Sequence, residues 1–78
     1  MKNVIVYSTP TCPWCTKAKS YLKSKDIEFK DVDVSQDQAA AVEMVEKSGQ
    51  RGVPVIDIEG DIIIGFDKDN IDKSLGLN

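Results

Sequence analysis

Two residues in this 78-residue chain stand out as nucleophiles, Cys12 and Cys15, set three apart in the run Cys12-Pro13-Trp14-Cys15. A thiolate attacks a disulfide sulfur to form a mixed disulfide, and a second thiol nearby can then attack the first and release the product. As a staple the pair would do little, because disulfide stabilisation grows with the length of the loop closed. A chemical role is therefore the better reading. The chain has no histidine, which excludes Ser-His and Cys-His catalysis and every His-containing zinc site. With only two cysteines, a four-thiolate zinc site would need a second chain, so no metal is expected.

The elements around the pair give its members different roles. Asn3 to Tyr7 is a short apolar, β-branched run that reads as a buried strand, followed by a polar loop over Ser8 to Thr11. A helix is expected from about Cys12 to Lys25, with Pro13 in its first turn, where the missing N–H costs nothing. Cys12 at the helix N-cap meets unpaired N–H groups and the positive end of the macrodipole. Its pKa should fall below the free value of about 8.5. Cys15, Ala18 and Leu22 share one face, Trp14 and Tyr21 lie at its edge, and Lys17, Lys19 and Lys23 point mostly away. Cys12 is thus the expected nucleophile, and Cys15, shielded one turn in, the resolving thiol. Trp14 could belong to the core or form the exposed lip of the site, and the lip is the favoured reading.

Farther along, Glu28 to Val34 reads as a second strand, with Phe29 packed inward beside Val32 and Val34. Ser35-x-x-Gln38 reads as a capping box opening a helix over Gln36 to Lys47, with Gly49 ending it in a left-handed conformation. Val53 to Ile58 and Asp61 to Ile64 read as strands joined by a tight Glu59-Gly60 turn. A last helix is expected over Lys68 to Leu75, with Ile71 and Leu75 facing inward. The order β-α-β-α-β-β-α requires a parallel pair from its first β-α-β unit and an antiparallel pair from its hairpin, hence a mixed sheet in one α/β domain spanning residues 1–78.

Two further places have chemical potential. Pro54 sits where a strand begins, a position that tolerates proline. It could equally form a turn beside the cysteines that leaves the Val53 N–H and C=O free to pair with an extended substrate. Gly65-Phe66-Asp67 precedes the last helix, whose first N–H groups could hold a carboxylate. An ordinary turn, core and cap reading of the same three residues is compatible with that.

Net charge is −3, which gives no sign of a nucleic-acid partner, but it is unevenly spread. Residues 1–30 hold six lysines against Asp26 and Glu28, a net of +4, while residues 31–78 carry a net of −7. The positive part surrounds the cysteines; most of it reads as a solvated helix face, and the functional reading is a weak bias toward anionic substrates. No apolar run approaches the ~18 residues of a membrane span, and no secretory leader is visible. A cytoplasmic monomer is expected, where a Cys-x-x-Cys pair is kept largely reduced.

Tyr7-x4-Cys12-Pro13-Trp14-Cys15, Gly52-Val53-Pro54-Val55 and Ile64-Gly65-Phe66-Asp67, in that order and spacing, resemble the glutaredoxins over essentially the whole chain. The resemblance implies a thioredoxin-like fold, a four-stranded mixed sheet flanked by three helices, with Pro54 in cis. It implies a thiol-disulfide oxidoreductase acting on disulfide-containing and glutathionylated proteins, with glutathione as reducing co-substrate. It also implies a glutathione site: the Val53 backbone for the cysteinyl part, Phe66 and Asp67 N–H groups for the γ-glutamyl carboxylate, and Arg51 for the glycyl carboxylate. Thr9 stands where many glutaredoxins carry a cation, and Lys68 where many carry a second acid. Gly65-Phe66 is closer to the NrdH-redoxins, which a flavin thioredoxin reductase reduces. The third reading, a [2Fe–2S] carrier sharing a cluster between two chains, is disfavoured by the stiffening Pro13.

Overall fold

The computed structural model describes residues 3–76. The strands are β1 (Val4–Ser8), β2 (Lys30–Asp33), β3 (Val55–Ile58) and β4 (Asp61–Ile64), and the helices α1 (Pro13–Ser24), α2 (Gln38–Ser48) and α3 (Lys68–Leu75). They follow one another as β-α-β-α-β-β-α and build a single sheet in the order β2-β1-β3-β4. β1 pairs parallel with β2, while β1–β3 and β3–β4 are antiparallel. This is the thioredoxin-like fold. No helix among the described residues is long and apolar enough to cross a membrane.

Strand alternation divides the apolar residues between two layers. Val4, Val6, Ile56, Ile58 and Ile63 pack with Ala18 and Leu22 of α1 and Ile71 of α3. Tyr7 and Val55 pack on the other face with Met44 of α2, joined by Val32, Val34 and Ile62. Phe29 belongs to the first layer, so the expectation that it lies beside Val32 and Val34 is corrected. Phe29 stands one residue before β2 and packs against the layer of Val4 and Leu22, whereas Val32, inside β2, packs against that of Tyr7 and Met44. The Glu59-Gly60 turn has positive φ at both residues (52° and 94°), which is the geometry that lets two strands twist together across a two-residue loop.

Several boundaries differ from the sequence reading. β2 spans Lys30–Asp33 rather than residues 28–34 because it has a neighbour on one side only, and pairs over Ile5 to Ser8 of β1. β3 begins at Val55, since Pro54 has no N–H to give to a ladder. The capping box does not form. Asp37 is the N-cap of α2 and accepts from the Ala40 N–H at 3.1 Å. Ser35 instead donates its N–H and hydroxyl to Asp33 Oδ1, at 2.9 and 2.6 Å, in a turn just before the helix. Gln36 therefore lies outside the helix, and Gln38 is its first residue. Gly49 ends α2 in the left-handed region, as expected (φ 74°).

These assignments predict that Asp37→Ala lowers unfolding free energy by about 1 kcal/mol, the usual cost of removing an N-cap oxygen. Ser35→Ala should cost less, because its hydroxyl holds a turn and no helix end. Urea unfolding of both variants checks this; a larger loss for Ser35→Ala would restore the capping box.

Candidate redox site

Cys12 occupies the N-cap of α1, with extended backbone (φ −104°, ψ 107°) and Pro13 at the first helical position. The Cys15 N–H donates to Cys12 Sγ at 3.1 Å. An amide of the first helical turn therefore points at the sulfur that sequence reasoning picked as nucleophile. Cys15 is fully buried among the apolar residues of α1, and Cys12 is partly exposed. The two are joined as a disulfide with Cα atoms 5.2 Å apart, within the ordinary range for such a bridge. The fold thus brings the two sulfurs to bonding distance and lets solvent reach only one of them well.

Cys12 Sγ also lies 3.8 Å from the carbonyl oxygen of Val53. The Val53–Pro54 peptide is cis. Among the described residues Val53 has no backbone–backbone partner, so its N–H and C=O stay outside the sheet ladder although Val55, two residues on, is paired with Tyr7. Behind it, Gln50 clamps the approach: its side-chain amide donates to Gly52 O at 2.9 Å and accepts from Gly52 N–H at 2.6 Å. Arg51, between them, is exposed. Gln50 was not picked out from sequence, since a lone glutamine in a loop gives no pattern that predicts a two-bond clamp.

The Gly65-Phe66-Asp67 segment is tied to this loop by a bond from Gly65 N–H to Pro54 O at 2.8 Å. Phe66 packs on the core and stacks tilted against Tyr21, with centroids 5.7 Å apart. Among the described residues, the N–H groups of Phe66 and Asp67 have no hydrogen-bond partner. The Asp67 carboxylate caps its own helix, accepting from Asn70 N–H at 3.3 Å and Asn70 Nδ2 at 2.6 Å. Lys68 is drawn along α3 to Asp72, at 3.2 Å.

Trp14 is 57% exposed. It is the lip of the site and not part of the core. No group of three or more Cys, Asp or Glu side chains is gathered to hold a metal among the described residues.

Three polar clusters support the site, and sequence reasoning found none of them. Tyr21 donates a hydrogen bond to buried Asp72, which ties α1 to α3. That bond, with Lys68, holds the Asp72 carboxyl below its usual range, and the same bond raises the Tyr21 phenol. On the opposite face, Lys47 of α2 bonds Asp57 Oδ2 at 2.7 Å and Tyr7 Oη at 2.8 Å, while Tyr7 donates to Glu43 at 2.6 Å. Burial, then the bond to Glu43, push the Tyr7 phenol up, and the bond to Asp57 leads in raising Lys47. The third joins Ser8, at the end of β1, to Asp31 at 2.8 Å, with Lys19 bridging to Asp31 at 3.1 Å. Burial opposes ionisation of Asp31, yet the bonds from Ser8 and Lys19 prevail and its pKa is lowered. Lys19 is thus engaged with β2 and does not stand on a fully solvated helix face. The one signal available was an acid in the middle of the apolar strand Val55-Ile56-Asp57-Ile58, which demands a partner without naming it.

A cysteine pair at the start of the helix that follows β1, facing a loop before an antiparallel hairpin, defines a dithiol protein of the thioredoxin fold. Sequence comparison narrows the class: the glutaredoxin family profile matches residues 4–63, and the chain belongs to that family. It is 60% identical over 68 residues to a glutaredoxin-like 8.6 kDa protein encoded in the rubredoxin operon of Clostridium pasteurianum, covering 87% of this chain and 91% of that one. It is 39% identical to glutaredoxin 3 of Escherichia coli, over 86% and 81% of the two chains. Among solved structures, a variant of the thioredoxin-like protein BC3987 superposes with a TM-score of 0.91 at 28% identity, over the whole of both chains.

Exposure and the amide contact together predict that alkylation of the reduced protein at neutral pH labels Cys12 well before Cys15. Peptide mass spectrometry of a quenched time course measures the order. Equal labelling, or Cys15 first, contradicts the assignment.

Proposed function

We propose that this protein reduces protein disulfides and protein–glutathione mixed disulfides, and that glutathione returns it to the dithiol state. The observation that carries the reading is the Cys12 sulfur at the helix N-cap, contacted by the Cys15 N–H and standing beside the unpaired backbone of Val53. The Cys12 thiolate attacks one substrate sulfur, the substrate S–S bond breaks, and the leaving thiolate takes a proton from water. Cys15 then attacks Cys12, expels the second substrate thiol and leaves the Cys12–Cys15 disulfide. Two glutathione thiols reduce that bridge and leave as glutathione disulfide. An extended substrate can pair with the free Val53 N–H and C=O, as an added strand does.

Glutathione as donor is supported by the unpartnered N–H groups of Phe66 and Asp67 and by exposed Arg51 near Val53. Lys68 and Thr9 weaken that site. Because Lys68 turns to Asp72, its charge is compensated, and the loss is chiefly the missing acid for the glutathione amino group. One lost contact of about 1 kcal/mol is roughly a fivefold weakening. NrdH-like use of a flavin thioredoxin reductase is the rival, favoured by the same lysine.

Coupled assays with NADPH, run with glutathione and its reductase beside thioredoxin reductase, test the donor. The expected result is turnover with glutathione at a KM above that of E. coli glutaredoxin 3 measured alongside, lowered by Lys68→Asp. Turnover with thioredoxin reductase alone would overturn the donor and leave the dithiol chemistry standing. Cys15→Ser should keep the one-cysteine reaction with glutathionylated substrate and lose most reduction of protein disulfides. Full protein-disulfide reduction by Cys15→Ser would remove its resolving role.

A further inference from the structure

The first turn of α1 carries no acidic residue, so nothing within it offsets the positive end of the helix. Lys17 follows Trp14 by three positions, which puts both on one helical face. Helical side chains lean toward the N-terminus, and the Lys17 ammonium lies 4.5 Å from the centroid of the Trp14 ring. Trp14 itself is exposed between the two redox cysteines. The ammonium is therefore seated on the indole at the mouth of the site. An attraction of that kind has a preferred geometry, over the ring face.

The other charges near the site are committed elsewhere. Lys19 is paired with Asp31 at 3.1 Å, and Lys25 sits 5.7 Å from the Tyr21 ring. Asp67 is turned into its own helix, and Lys68 is paired with Asp72. None of the ion pairs among the described residues includes Lys17 or Arg51. Among the described residues, Lys17 is the cation seated on an aromatic ring between the cysteines, at a helix end whose first turn holds no acid.

We infer that Lys17, held on Trp14, sets charge selectivity: it speeds reaction with disulfides that carry a carboxylate near the sulfur and slows reaction with cationic ones. The inference rests on Cys12 being the attacking sulfur, as proposed above. The substrate carboxylate takes no part in bond-making; it lowers the energy of encounter and of the mixed disulfide through its charge alone. The effect therefore diminishes as salt screens it.

Three small disulfides of similar length separate this from general reactivity: dithiodipropionate with two carboxylates, bis(hydroxyethyl) disulfide with none, and cystamine with two ammonium groups. The reduced full chain reacts with each in a single turnover, followed by acid quench and mass spectrometry. The expected order is anionic, then neutral, then cationic, with the spread narrowing at high salt. Relative to wild type, Lys17→Gln should cut the anionic-to-cationic rate ratio about threefold, and Lys17→Glu about tenfold. Lys17→Arg should preserve it, and Trp14→Ala should lower it with Lys17 still present. A purely structural role for Lys17 would slow all three substrates together and leave the ratio fixed. A ratio unmoved by both Lys17→Gln and Lys17→Glu overturns the inference. If the wild type fails even with the neutral disulfide, the dithiol reading falls, and the inference with it.

Discussion

The amide of Cys15 directed at the sulfur of Cys12 is the contact on which the remaining architecture depends. It exists because Cys12 is the N-cap of α1, outside the helix in backbone conformation but within reach of its unpaired donors. Holding a cysteine there requires β1 to stop at Ser8, a short turn to follow, and Pro13 to start the helix with φ already set. The same helix turns Cys15 inward, against the α1 side of the sheet. One geometric choice thus leaves one sulfur partly exposed and met by a helix amide, and the other buried.

The rest of the molecule holds the partners of that sulfur in place. The central strands β1 and β3 are flanked on both faces, and among the described residues every buried side-chain nitrogen or oxygen has a hydrogen-bond partner. The Tyr21–Asp72 bond and the Tyr21–Phe66 contact couple α1, which carries the cysteines, to α3, which carries the Phe66 and Asp67 N–H groups. The Gly65-to-Pro54 bond links that segment to the loop whose Val53 carbonyl stands by Cys12. These contacts tie Cys12, the Val53 backbone and the helix-start N–H groups to one another.

How much of this was legible follows from the range of the interactions. Cys12, Pro13 and the apolar triplet Cys15, Ala18 and Leu22 declare themselves locally, through spacing and helix-end chemistry, and the structure places them as read. Glu59-Gly60 and Gly49 were legible for the same reason, since each needs a backbone conformation that few residues accept. The start of α2 was misread because Ser35 and Asp37 are both good caps two residues apart, and the contest is settled by Asp33, which takes Ser35 for a turn. Phe29 was misplaced where strand alternation, applied strictly, would have separated it from Val32. The Lys47–Asp57–Tyr7 and Tyr21–Asp72 pairings join residues far apart in sequence, and no local pattern encodes them.

The measurement closest to the central claim is the ionisation of Cys12 itself, read from thiolate absorbance against pH in the reduced Cys15→Ser variant, where one thiol remains. Stabilisation at the N-cap of α1 predicts a midpoint at least one unit below the free-cysteine value of about 8.5. A midpoint at or above that value would show that the helix end does not activate this sulfur, and would contradict the account.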